Sequence, residues 1–547
     1  MNKSLSLFLI SALFGFASTF AANAQSSDTE DKTKRLDEVT VETKGPSSSA
    51  AQSGWVEAKS ENFLYYAPVS EEKAKKAVQE LEFFRTALFR FLGFEESPET
   101  LRVEVYAAPN TREIARSVSA GIGGAYVASL DGPKFVLNMN DGSRARSRRG
   151  RRAKEASAPR IDPEVSVRRI IFHEYSHHIT STYSSRIYPT WYNEGFAEYL
   201  GTMELFEAKD GEPAKIHIGT PQQGRAFALE FRRKWYDWDK LIATEVGYSS
   251  DFGGVEAAQF YSQSWLAAHY IHSTPGLGTK MTKYIDLLNG PDTPENAFEV
   301  AFEMTPADFG KKVKKYFKKN DYRTLVTTFA DGIELAEVKT RPISEGEAAY
   351  KRGDMISWFR GDPAANDQIE TSLKRALKTG GPRQDIYRAQ AMLEARRGNY
   401  DEAKTLIAKS LKIDKNHSKA LQSAGMIHMA EYQDEDAATE EASVKKARDY
   451  FFDAMVANPD NLAAHFHYAS TFAELDDKPD QQAVSSAIES ALYYRSGQRI
   501  EDSLKLAKVL ARGGETDAAK YLYTKAATWI EDEDKRKEAE DALEKLN

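Results

Sequence analysis

The chain of 547 residues contains no cysteine. That absence excludes disulfide staples and a lipid-bearing amino-terminal cysteine, and it means that any metal site must be built from histidine and carboxylate. Long apolar runs are nearly as scarce. One extends from Leu5 to about Ala22, and no other segment is apolar enough over sufficient length to span a membrane. Excess positive charge is also missing: 74 Lys and Arg stand against 82 Asp and Glu, a net charge of −8. That balance argues against nucleic acid or an anionic membrane as a general partner.

What is present begins with the one apolar run. Lys3 precedes it and Ala22-Asn23-Ala24 closes it before Gln25, the pattern of a secretory signal spanning residues 1–24. An uncleaved anchor is the competing interpretation. Removal of the signal takes Lys3 with it and moves the net charge from −8 to −9, leaving no integral membrane segment. Export together with the absence of cysteine points to a periplasmic or secreted protein of a bacterial cell envelope. Residues 25–54, rich in Ser, Thr, Lys, Glu and Ala, are expected to be a disordered linker.

The chemistry is concentrated in residues 173–200. His173 and His177 are four apart, so on a helix both imidazoles lie on one face, one turn apart, and can hold a single Zn²⁺. Glu174 between them points beside the metal, where a general base for a zinc-activated water belongs. Downstream, Glu194 and Glu198 share a helical face at i, i+4. Either carboxylate could complete a His₂Glu set with an open fourth position. Glu194 is the expected ligand, and Glu198 is expected to bond the outer nitrogen of a ligating histidine and fix its tautomer. His178 lies about 100° around the helix from His177 and is not expected to be a ligand. Asp162 suits an N-cap and Pro163 a first helical turn, so the histidine helix is expected to begin there.

His173-Glu174-Tyr175-Ser176-His177 with Asn193-Glu194-Gly195-Phe196-Ala197-Glu198-Tyr199 resembles the gluzincin metallopeptidases of the MA clan. The resemblance implies that the Glu of the Asn-Glu-Gly run is the third ligand. A third block, Gln259-Phe260-Tyr261-Ser262-Gln263-Ser264-Trp265, is similar to a segment that follows the zinc helices in peptidase-MA-like exported bacterial proteins. The similarity covers about residues 60–320. The 16-residue spacer between His177 and Glu194 is shorter than in the aminopeptidase and thermolysin branches. No Gly-x-Met-Glu-Asn exopeptidase motif occurs, so aminopeptidase specificity does not carry over. On the strength of the third block, Tyr261 is the candidate for stabilising the oxyanion, with Tyr192, Tyr199 and His269 as rivals.

The sequence around this site alternates strands and helices. Strands are expected at 62–67 and 101–106, an amphipathic helix at 71–92, and a short helix from Thr111. Two further strands flank the hairpin turn Asp131-Gly132-Pro133. One edge strand, 134–138, is a candidate for pairing with a substrate backbone. A basic loop at 143–160, with Arg144, Arg146, Arg148, Arg149, Arg151 and Arg152, reads as a solvated segment or a docking or nicking site.

Beyond a linker at 326–345 the chain becomes helical and repetitive. Small and large residues recur at Ala403/Ile407/Ser410, Ala447/Phe451/Ala454 and Ala519/Tyr523/Ala526, and Gly398-Asn399-Tyr400 reads as an inter-helix turn. The pattern resembles four or five degenerate tetratricopeptide (TPR) repeats over residues 346–547, whose stacked helix pairs commonly bind peptides or proteins. Met426, His428, His465 and His467 are expected to pack or face solvent.

The expected fold is therefore an α+β zincin-like metallopeptidase domain at residues 55–325, a mixed sheet plus zinc-binding helices, followed by an all-α TPR-like solenoid. The expected function is an exported zinc-dependent peptidase acting on a peptide or protein substrate, with the repeats recruiting substrate or a protein partner. The competing class is a catalytically inert peptidase-like scaffold acting through its repeats. A zinc hydrolase of a non-peptide bond is the third.

Overall fold

A computed structural model describes residues 52–109, 113, 124–139, 163–184, 186–208, 212–231, 235–243, 254–290, 292–434, 441–493, 500–530 and 532–546. The expected signal, most of the 25–54 linker, all but residue 113 of the Thr111 helix, the Asp162 cap and the basic loop lie outside the described residues. No described helix is long and apolar enough to cross a membrane.

A six-stranded mixed sheet organises the first half. Its strands are β1 (Gln52–Lys59), β2 (Phe63–Ala67), β3 (Val103–Ala108), β4 (Gly124–Val127), β5 (Lys134–Asn138) and β9 (Lys339–Ser344), in the order β4-β5-β3-β2-β1-β9. Pairs β2/β3 and β3/β5 are parallel, whereas β1/β2, β1/β9 and β4/β5 are antiparallel. Strand 134–138 is thus interior, hydrogen-bonded on both sides. This corrects the expectation that it is an edge open to substrate, and its five buried residues fit a central strand. The edge is β4.

Because side chains alternate along each strand, the sheet feeds two separate cores. Phe63, Tyr65, Val103, Val105, Phe135 and Leu137 face α1 (Glu71–Leu92) and α2 (Pro163–Tyr183). Tyr66, Tyr106 and Val136 on the opposite face pack against the carboxy-terminal helices. Helix α1 spans its expected range. Ser70 caps its start by accepting from Lys73 N, and Gly93 ends it at φ +72°, a conformation only glycine adopts readily. Phe84 of α1 stacks on Phe172 of α2, ring centroids 3.7 Å apart.

Helix α3 (Thr190–Leu200) follows α2. A small antiparallel sheet, β6 (Glu204–Phe206), β7 (Ala214–Ile218) and β8 (Leu325–Phe329), lies further along the chain. Between β7 and β8 come α4 (Gln223–Phe231), α5 (Trp238–Ala243), α6 (Gly254–Ser273), α7 (Leu277–Leu288), α8 (Pro294–Phe302) and α9 (Pro306–Lys319). The segment expected as a linker, 326–345, instead carries most of β8 and all of β9. Each strand completes a sheet begun more than a hundred residues earlier.

The second half is an α-solenoid. Five antiparallel pairs, α10/α11 (Glu345–Phe359, Pro363–Lys378), α12/α13 (Arg383–Arg396, Tyr400–Ile413), α14/α15 (Ser418–Tyr432, Glu441–Ala457), α16/α17 (Leu462–Glu474, Gln481–Tyr493) and α18/α19 (Ile500–Gly513, Thr516–Trp529), precede a last helix α20 (Glu533–Leu546). The recurrent residues of the sequence pattern occupy equivalent positions. Ala403, Ala447, Ala454, Ala519 and Ala526 are fully buried where helices cross, and Gly398 takes φ +79° in the turn between α12 and α13. His428 stacks on Tyr450, His467 stacks on Phe451, and His465 bonds Ser486 and the Pro459 carbonyl.

Candidate metal centre

Helices α2 and α3 bring three of the singled-out side chains to one point. His173 Nε2 lies 3.1 Å from His177 Nε2, and Glu194 Oε2 lies 3.3 Å from the first and 3.5 Å from the second. The side chains of His173 and His177 keep 15% and 11% of their surface exposed, so the cluster is recessed but reachable. Glu194 Oε2 has no hydrogen-bond donor. One imidazole can donate to the other, the direction set by tautomer, while the Glu194 oxygen crowds both ring nitrogens. The three side chains form a group that could hold a metal ion.

Burial depresses the His173 pKa, but hydrogen bonding to Glu194 and the charges of Glu198 and Glu174 outweigh it and hold the imidazole at about 9. Glu194 is itself buried, yet His177 and His173 pull its carboxyl far below the usual range. A metal ion bound there would compete with that proton.

Glu198 is placed one turn along α3, its Oε1 3.6 Å from His173 Nδ1. This is the outer nitrogen, at a distance too long for a hydrogen bond. The carboxylate is held instead by Arg225 of α4 in a bidentate pair, with Nε to Oε2 at 3.1 Å. Gln222 donates to the Glu198 carbonyl. Burial would raise the Glu198 pKa, but Arg225 and His173 lower it. Arg225 carries no motif signal in the sequence, since its helix reaches the site only through the fold.

Glu174 forms no hydrogen bond or ion pair among the described residues. Burial raises its pKa against the pull of His173 and His177. The Tyr261 ring centroid lies 6.5 Å from that of His173, and the Arg225 guanidinium sits 5.1 Å over the Tyr261 ring. The rivals are engaged elsewhere. Tyr192 bonds His272, Tyr199 is buried against His269 and His272, and His269 bonds the Gly219 carbonyl and Tyr316.

Two motif residues serve packing. A Cβ on Gly195 would overlap the Ser264 carbonyl of α6, so the glycine after Glu194 lets α6 lie directly against α3. Gln263 binds both the N–H and the carbonyl of Tyr236, which pins the segment before α5. On the other side of α2, His178 is not with the cluster: its Nε2 lies 3.1 Å from Glu99 Oε2. Glu99 also accepts from Tyr175, Tyr183 and Arg85.

No protein-family model matches the chain, and no curated protein matches it. Among solved structures, a thermophilic TPR protein of Thermus thermophilus is similar at 19% identity, covering 36% of this chain and 98% of its own, with a TM-score of 0.28. PilF of Pseudomonas aeruginosa is similar at 16% identity, covering 37% of this chain and 91% of its own, with a TM-score of 0.27.

Proposed function

We propose that the chain is an exported zinc-dependent hydrolase of peptide bonds, with a zincin-like fold of gluzincin type, whose TPR-like solenoid recruits a protein substrate or partner. The observation that carries this is the triangle of His173 Nε2, His177 Nε2 and Glu194 Oε2, with edges of 3.1, 3.3 and 3.5 Å. Ligand atoms about 2.0–2.2 Å from a tetrahedral zinc are separated by about 3.3–3.6 Å, so the donor set and its spacing fit that ion. An N₂O set without sulfur, open on one side, suits a catalytic rather than a closed structural site.

When bound, zinc supplies electrophilic activation. The rest falls to the chain. Glu174, raised in pKa and unpaired among the described residues, takes the proton of the attacking water and returns it to the leaving amine. Glu194 and the two histidines would hold the ion, Glu198 would add its charge beside His173, and Tyr261 is our candidate to meet the developing oxyanion.

The test is metal content and peptide hydrolysis of the mature protein, purified without chelator. About one zinc per chain is expected in the wild type and in Glu174→Gln, and none in His177→Ala or Glu194→Ala. Glu174→Gln should lower hydrolysis of a casein-derived peptide mixture by about 10²–10⁴-fold. No zinc after reconstitution would discard the enzyme and leave an inert scaffold acting through its repeats. Zinc without peptide cleavage would favour a non-peptide bond.

A further inference from the structure

The sheet face turned away from the metal cluster does not pack fully against the solenoid. Between them lies a cavity of about 460 Å³, within the range of small-molecule sites. Its floor is the sheet, and its wall is the first helix of each of the first three pairs, α10, α12 and α14. The turn before β5 closes one end, where Gln422 of α14 donates to Asp131 at 3.4 Å. Both halves of the molecule are needed to form this cavity.

The lining is charged, but its charges cancel: six Lys and Arg side chains face six Asp and Glu. Several of these are already satisfied. Glu104 pairs with Lys134 at 3.1 Å and accepts from Tyr106, and Arg341 bridges Glu57 and Glu347. What remains is a set of buried atoms with no hydrogen-bond partner, and they are of both kinds. Arg388 Nε and Trp358 Nε1 are donors; Gln422 Oε1 is an acceptor. The carboxylate nearest Arg388 Nε is Asp385, at 4.0 Å. Lys351 makes no ion pair within 4 Å among the described residues and instead lies 4.5 Å over the Tyr66 ring. Buried donors and acceptors left open cost free energy that a ligand recovers.

We propose that this cavity binds a small zwitterion with an apolar or aromatic body, a free α-amino acid or a short peptide with both ends charged. Arg388, Trp358 and Lys351 receive the carboxylate. Gln422 Oε1, with Asp131 beside it, receives the ammonium. Tyr66 and Tyr350 line the space left for the side chain. A lining whose formal charges cancel, with donors left open at Arg388 and Trp358 and an acceptor left open at Gln422, admits a ligand that brings both an acceptor and a donor, and disfavours one carrying only a carboxylate or only an ammonium, which would leave the other open atoms unpaired.

The test is calorimetric titration of the whole mature chain as Glu174→Gln, so that no peptide is consumed, with Trp358 fluorescence as a second signal. The probes are L-phenylalanine, L-alanyl-L-phenylalanine, N-acetyl-L-phenylalanine and L-phenylalanine amide. The expected result is saturable binding of phenylalanine or the dipeptide, with each single-charge analogue weaker by about tenfold or more. Preference between the first two identifies a free amino acid or a peptide as the source. Arg388→Gln and Gln422→Leu should each weaken binding by a similar factor, and the Glu194→Ala metal-site variant should not. No binding of either zwitterion at 10 mM (roughly the weakest useful affinity for a small ligand), or equal binding of a single-charge analogue, overturns the proposal. So does unchanged affinity in the cavity variants. The analogue comparison needs no cavity substitution and decides the matter even if those variants fail to fold.

Discussion

Helix α2 carries a histidine–carboxylate cluster on each of two faces, and the clusters differ in what they leave open. His178 meets Glu99, and that carboxylate also receives Tyr175, Tyr183 and Arg85. Tyr126 and Thr182 lie 3.2 Å from the other ring nitrogen. His173 and His177 meet Glu194 with no donor supplied to its Oε2, and no partner reaches His177 Nδ1. Similar residue types, on neighbouring turns of one helix, therefore do opposite work. A cluster saturated by protein donors fixes the helix, whereas one with a carboxylate oxygen left without a partner could hold a cation. Satisfaction, not composition, distinguishes them.

The sharpest way to break that comparison is pH. In the metal-free chain His173 holds its proton up to about 9, and zinc must displace it. Zinc affinity should therefore fall about tenfold for each pH unit below 9, close to a thousandfold by pH 6. Titration against a chelating dye at pH 6, 7, 8 and 9 checks this. A flat profile would mean that no ligand of the ion gives up a proton in this range, and that His173 is not held protonated there.

The saturated face should respond to substitution in stability rather than in metal binding. Burial alone would raise the Glu99 pKa, but His178, Arg85 and Tyr175 hold it at about 2, against an ordinary 4.5. Its folded value is depressed, so its contribution is complete above pH 4.5 and is lost as pH falls from 4.5 towards 2. The shift corresponds to about 3 kcal/mol. Glu99→Gln should cost about that much at pH 7 by chemical denaturation, with zinc stoichiometry unchanged, and the gap from wild type should close by pH 2. Loss of zinc in this variant would join the two clusters into one unit.

The motif glycine offers a third contrast, since it acts on the ligand face through packing alone. Gly195→Ala puts a methyl group against the Ser264 carbonyl, and forcing α3 and α6 apart should cost about 1–3 kcal/mol. A lowered thermal midpoint in the metal-free protein, where no ligand effect can contribute, checks it.

Residues close in sequence were the legible ones. The i, i+4 spacing of His173 and His177 and of Glu194 and Glu198 put four groups on two helix faces, and the fold needed only to bring α2 and α3 together. The 71–92 helix and the hairpin about Gly132 were equally local, set by caps, periodicity and a turn. What escaped depends on distant pairing. Strands β8 and β9 look like linker because their partners β7 and β1 lie more than a hundred residues earlier, and strand 134–138 reads as an edge until β3 is placed beside it. Glu99 and Arg225 sit in segments without periodicity, and only the tertiary fold gives them a histidine or a carboxylate to hold.

The smallest expected effect concerns how Glu198 is shared. Its carboxylate pairs with Arg225 and stands 3.6 Å from His173 Nδ1, so it contributes charge to the histidine without yet bonding it. Glu198→Gln removes that charge and should weaken zinc by about 10–100-fold, as loss of a group that orients a ligating histidine does. Arg225→Gln leaves the charge and frees the carboxylate to turn towards His173, so its effect on zinc affinity should be smaller than tenfold. If Arg225 acts only through Glu198, adding Arg225→Gln to Glu198→Gln changes nothing further, and the double variant binds zinc like the single one. An additional loss in the double variant would mean that Arg225 acts on the cluster directly, across the Tyr261 ring it covers.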